Sequence, residues 1–108
     1  MRVLFDQGTP VAIAEFLTRH VVRTTRQEGW ATLVNGDLLR AAEEGGFEVL
    51  LTTDNSLSYQ QNLKGRRIAI VALSRNRWRI VQRMIRKIVA AVNAAEPGSY
   101  VVIEIPPG

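Results

Sequence analysis

Three stretches of this chain are apolar from end to end: VLF (Val3–Phe5), VLL (Val49–Leu51) and IAIVAL (Ile68–Leu73). A strand with one wet face alternates apolar and polar residues. A strand that does not alternate is covered on both faces, and that is the condition of a parallel sheet between two layers of helices. Few other folds bury several short strands so completely.

The rest of the chain fits that architecture. Five runs have strand character: Arg2–Phe5, Val21–Thr24, Val49–Thr52, Ile68–Leu73 and Tyr100–Ile105. Helical segments fill the gaps between them. Thr9-Pro10 predicts a helix to about Arg19, with Thr9 as N-cap and Pro10 in the first turn. Asn35-Gly36-Asp37 opens a second helix that Gly45-Gly46 stops. Asn55 or Ser56 caps a brief third helix running to Leu63. The longest helix places Trp78, Val81, Ile85, Ile88 and Val92 on one side at helical spacing, and Pro97-Gly98 ends it. With 108 residues the chain is one domain, 1–108, because half of it could not bury a sufficient core. The expected fold is a three-layer α/β/α sandwich on a mainly parallel five-stranded sheet of order 2-1-3-4-5.

In such sheets ligands sit outside the carboxyl ends of the strands, where the strand order reverses. Strand one runs into Asp6 and strand three into Asp54, both at that edge. Asp37, at the start of the second helix, is expected to face the same edge. Each acid has an ordinary structural reading, since Asp is common where a strand turns and where a helix begins. Three carboxylates brought together would repel one another unless a cation neutralised them. Hard divalent ions with oxygen ligands suit that role, Mg²⁺ or Mn²⁺ first, and such an ion acidifies bound water and shields a phosphate.

The charge is divided along the chain. Residues 1–54 carry five basic and eight acidic side chains, and residues 55–108 carry nine basic and two acidic. An acidic cluster beside a basic surface suits phosphodiester chemistry. In the SRNRW stretch (Ser74 to Trp78), Arg75 and Arg77 are placed to hold phosphates, with Asn76 capping the last helix. Lys64, Arg66 and Arg67 precede strand four and belong to the opposite edge, while Arg79, Arg83, Arg86 and Lys87 read as a solvated helix face. There are no cysteines, hence no disulfide framework or thiolate metal site. Met1-Arg2 leads straight into VLF, without an apolar leader, so a cytoplasmic protein is expected. The longest apolar run is six residues, far short of the roughly 20 a membrane span needs, so no membrane partner is expected.

Phe5-Asp6, Asp37-Leu38-Leu39-Arg40-Ala41-Ala42, and Thr52-Thr53-Asp54 followed by Leu57 resemble the PIN domain. The chain is most similar to the short bacterial PIN-like proteins found with toxin–antitoxin pairs. The resemblance covers nearly the whole chain. It implies a Mg²⁺- or Mn²⁺-dependent endoribonuclease, an RNA substrate and a cognate antitoxin protein, and it is compatible with a homodimer. Asp6, Asp37 and Asp54 correspond to the family's first, third and fourth acids, and would serve as catalytic metal ligands. Thr52, with Asn55 nearby, would order the site. The chain departs from the family between Thr25 and Gly36, which is too short for the helical hairpin bearing a further Glu. Glu28 is the acid available there, although loop acids are mostly solvated. A non-catalytic binding module that has lost that ligand is therefore the alternative.

A phosphorelay receiver domain also ends strand three on an aspartate. It further needs paired acids after strand one, a Ser or Thr ending strand four and a lysine ending strand five. Here Asp6 adjoins Gln7 and strand five ends IEIPPG, so only Ser74 matches. Among the remaining residues, Trp78 reads as core and Trp30 as a plug in the shortened connection. Tyr59 reads as the anchor of the third helix, and His20 as too far from the carboxyl edge to act as a base.

Overall fold

The computed structural model describes residues 1–55 and 57–108, and every side chain among them except those of Leu57 and Ser58. Among the described residues, β1 (Arg2–Phe5), β2 (Val21–Thr24), β3 (Val49–Thr52), β4 (Ala69–Leu73) and β5 (Tyr100–Ile103) form one sheet. All four pairings are parallel and the order is 2-1-3-4-5, as the pattern predicts. In the central register Val3 lies beside Val49 and Phe5 beside Leu51. β3 and β4 are buried at every position, which accounts for their unbroken apolar sequence.

The strand side chains divide strictly between two cores. Val3, Phe5, Val49, Leu51, Val71 and Leu73 face one side, where they meet Ile13, Leu17, Ile80, Val81, Ile88 and Val92. Leu4, Leu50 and Ile70 face the other, against Leu38, Leu39, Ala42, Tyr59 and Leu63. Helices α2 (Asn35–Glu44) and α3 (Leu57–Asn62) therefore cover one face. A 3-10 helix at Val11–Phe16 covers the other, together with α4 (Trp78–Val81) and α5 (Ile85–Asn93). This arrangement makes the three layers.

One connection departs from the expected right-handed set. The β3-to-β4 and β4-to-β5 connections step the same way across the sheet, yet α3 and α5 lie on opposite faces. The two crossovers thus have opposite hands, and the last differs from the three before it. The stripe Val81, Ile88 and Val92 fits the face that Ile13 and Leu17 leave open, so burial outweighs the usual crossover preference.

Several boundaries differ from expectation. Thr9 is buried and caps nothing: its hydroxyl donates to the Leu51 carbonyl at 3.0 Å. The segment after it forms a 3-10 helix instead of an α-helix reaching Arg19. The Thr25–Gly36 interval holds a short helix, α1 (Thr25–Glu28), started by a Thr24/Gln27 capping box and ended by Gly29 in the left-handed region. The last helix is not continuous, because a 3-10 turn at Gln82–Met84 separates α4 from α5. Ser56, one of the two expected caps for α3, lies outside the described residues. β5 ends at Ile103, but Ser74 Oγ accepts the Ile105 N–H at 2.7 Å and extends the docking of the chain. Trp30 meets Phe47 edge-on with ring centroids 5.9 Å apart. Trp78 packs beside Phe16 against the first core.

At the amino ends of the strands one carboxylate organises three segments. Glu43 Oε1 accepts from Arg66 at 2.9 Å, while Oε2 accepts the Arg67 and Ile68 N–H groups at 2.7 and 3.3 Å. Partial burial pushes the Glu43 carboxyl up. These hydrogen bonds and the Arg66 charge outweigh that and hold it below its ordinary 4.5. A carboxylate favoured in this way adds stability above pH 4.5 that is lost as the pH falls through its lower folded value. Replacing Glu43 by Gln is expected to cost about 1–3 kcal/mol in urea unfolding at neutral pH. It should also flatten the decline in stability below pH 4.5, and an unchanged acid limb would contradict this account.

Candidate functional site

The carboxyl edge is built where β1 and β3 end side by side, the point at which the strand order reverses. The Asp6 N–H donates to the Leu51 carbonyl at 2.9 Å, so the ladder between the two strands runs one residue past β1. That bond turns the Asp6 side chain into the crevice between the strand ends. The carboxylate is half-buried and hydrogen-bonded on both oxygens. Oδ2 accepts the Thr52 hydroxyl at 2.8 Å and the Tyr59 hydroxyl at 3.0 Å. Oδ1 accepts the Gln7 N–H at 2.8 Å. A carboxylate oxygen has about two acceptor positions. Among the described residues Oδ2 is thus filled, and Oδ1 has one protein donor, the Gln7 N–H.

Thr52 reaches in both directions. It donates to Asp6 and accepts the Asp54 N–H at 3.0 Å. Asp54 itself is exposed just beyond β3. From its sequence Tyr59 reads as the anchor of α3, ahead of a base-stacking role. It is that anchor, but through the site: the side chain is 2% exposed and its hydroxyl is spent on Asp6. Burial raises the Tyr59 phenol well above its ordinary 10.0; the Asp6 charge, the hydrogen bond to Asp6 and the Asp54 charge act in the same direction. The backbone of Asn35 pulls weakly the other way. Tyr100 is raised too, by burial and by the Asp54 charge. The fields of Asp6 and Asp54 therefore overlap at one phenol.

Asp37 stands apart from this network. It is exposed in the first turn of α2, and its side chain makes no hydrogen bond or ion pair among the described residues. Among the described residues, no group of three or more His, Cys, Asp or Glu side chains is gathered closely enough to hold a metal ion. Glu28 points elsewhere, paired with Arg23 at 2.6 Å. His20 lies at the opposite end of β2, where Nε2 is 2.6 Å from Asn93 Oδ1. Asn55 is exposed beyond Asp54.

The loops after β1, β3 and β4 meet at Gly8. Its φ of +89° is open to glycine at little cost, and a Cβ there would stand 3.3 Å from Thr53 Oγ1 and 3.9 Å from Asn76 Nδ2. Asn76 does not cap α4; the N-cap is Arg77, without a side-chain bond. Arg75 and Arg77 are exposed on either side of Asn76, and Arg75 lines a groove with Ser74, Glu104, Ile105, Pro106 and Pro107 beyond the end of β5. Arg66, expected on the opposite edge, is bound to Glu43, to the Asn62 carbonyl and to the Gly36 carbonyl, and does not enter the crevice.

No known protein family, curated protein or solved structure matches this chain. The likeness to PIN domains rests on the motif residues themselves.

The sequence pattern could have pointed to Tyr59, which follows Asp54 by five residues on the inner face of a short helix. A polar-tipped aromatic turned toward a strand end needs a partner for its hydroxyl. Both tyrosines are expected to stay protonated where a free phenol would be half ionised, near pH 10.0. Because the folded phenols are raised, this contribution to stability is complete below pH 10.0 and is lost as the pH climbs above it. Alkaline difference absorbance should show tyrosinate appearing together with unfolding; early ionisation of both phenols in the folded protein would contradict their placement.

Proposed function

We propose that the carboxyl edge is an RNA-cleaving site of PIN-like type in a cytoplasmic protein, kept in check by a cognate antitoxin. The observation that carries this reading is the bridge at the strand switch point, where Thr52 donates to Asp6 Oδ2 at 2.8 Å and accepts the Asp54 N–H at 3.0 Å. Magnesium commonly binds through one or two carboxylates and completes its shell with water and substrate phosphate. Asp6, through Oδ1, and Asp54 fit an ion of that kind; they do not form a closed cage. When bound, Mg²⁺ or Mn²⁺ supplies charge neutralisation at the phosphate and a more acidic water.

The chain's own residues do the rest. Thr52, Tyr59 and the Gln7 N–H hold the Asp6 carboxylate in one orientation. Arg75 and Arg77 grip the RNA backbone without choosing a sequence. Asp37, on the first turn of α2, reaches the substrate side only when RNA bridges the gap.

A second reading is favoured by the three donors already on Asp6. In it the same edge binds RNA without turnover. One experiment separates the two. Purified protein is incubated with mixed RNA, with Mn²⁺ or with chelator, beside Asp54→Asn. The nuclease reading expects Mn²⁺-dependent cleavage that falls about a hundredfold or more in the variant, the scale of losing a group that stabilises the transition state. Equal cleavage by the variant removes the mechanism, and retained RNA binding without cleavage selects the binding module.

The arginine assignment has its own test. Converting Arg75 and Arg77 together to Ala should weaken RNA binding for all sequences alike. It should also reduce the slope of log affinity against log salt by about 1.4, or 0.7 for each lost single-strand phosphate contact. An unchanged slope places the phosphate contacts elsewhere.

A further inference from the structure

Tyr59 belongs to none of the motifs that suggest a nuclease, yet its hydroxyl sits at the centre of the carboxyl edge. The phenol is buried and donates to Asp6 Oδ2 at 3.0 Å. Thr52 donates to the same oxygen at 2.8 Å. The segment carrying Asp54 therefore has both flanks attached to one carboxylate oxygen, through Thr52 before it and Tyr59 after it. With Oδ2 filled, the carboxylate cannot turn without stranding a buried hydroxyl, which is unfavourable.

We propose that Tyr59 is a positioning residue: its hydroxyl joins α3 to the end of β1 and fixes Asp6 so that Oδ1 alone is open to a ligand. Asp6 then engages an incoming cation through a single oxygen, and its orientation is coupled to that of the Asp54 segment. The metal arm of this proposal rests on the reading of the edge as an ion-dependent site; the positioning arm does not.

The test is Tyr59→Phe, which keeps the ring in the core and removes only the donor. Two readouts are needed. Backbone amide resonances of Gln7, bonded to Oδ1, and of Asp54, bonded to Thr52, should shift, while those of Leu50 and Ile70 in the buried strands stay in place. Mn²⁺ affinity, measured by titration calorimetry, should fall about tenfold or more, the usual cost of losing a group that orients a metal ligand. Unmoved Gln7 and Asp54 amides overturn the proposal. So do moved amides with unchanged Mn²⁺ affinity. If the parent protein binds no Mn²⁺, the ion-dependent reading fails, and the amide shifts alone decide whether Tyr59 positions Asp6. Should Tyr59→Phe not fold, Asp6→Asn replaces it. Loss of the charged acceptor should then move the Asp54 amide, bonded to Thr52, and its constancy overturns the coupling.

Discussion

The pairing of β1 with β3 is the interaction around which the rest is arranged. Both strands are buried on two faces, so their backbone groups have no water to turn to and must satisfy each other. The pairing does not stop where the strands stop. The Leu51 carbonyl accepts the Asp6 N–H, and it accepts the Thr9 hydroxyl as well. One oxygen thereby holds the end of β1 and the start of the following 3-10 helix. It also brings Asp6 to the crevice between two strand ends.

Two carboxylates then organise the two ends of the sheet, by the same chemistry and with different outcomes. Glu43 collects two backbone N–H groups and a guanidinium, and its charge is matched by Arg66. That group is structural and complete. Asp6 collects two hydroxyls and one N–H, all neutral donors. Among the described residues its negative charge is solvated by the chain but not cancelled, and Oδ1 has one protein donor. An anion stabilised in this manner at a topological switch point is suited to meet a cation or a donor from outside.

The opposite hand of the last crossover bears on the same edge. With α4 and α5 on the face of the 3-10 helix, the connection after β4 approaches the loop after β1, and Asn76 comes near Gly8. On the other face α3 and Tyr59 close the flank of Asp6. A right-handed crossover would have sent the basic connection toward the α3 side and left the β1 loop uncovered.

Much of this was legible in the residues. Unbroken apolar runs require burial on both faces, and burial on both faces requires helices above and below, so the layers, the strands and the parallel sheet follow from composition and period alone. Asp6, Thr52 and Asp54 are placed at the carboxyl edge by the same logic, since a residue that follows a strand must lie at its end. Other features depend on distances between segments remote in sequence. Thr9 reads locally as a cap, but a carbonyl 42 positions away takes its hydroxyl. Tyr59 reads as a core aromatic, and only the meeting of α3 with β1 gives its hydroxyl an acceptor. Asp37 reads as a third ligand, and the side-chain network leaves it outside. Local sequence decides which groups are polar, buried and near a strand end. Which of them touch is decided by packing across the sheet, because a hydrogen bond needs its partners within about 3 Å and a pattern along the chain carries no such distance.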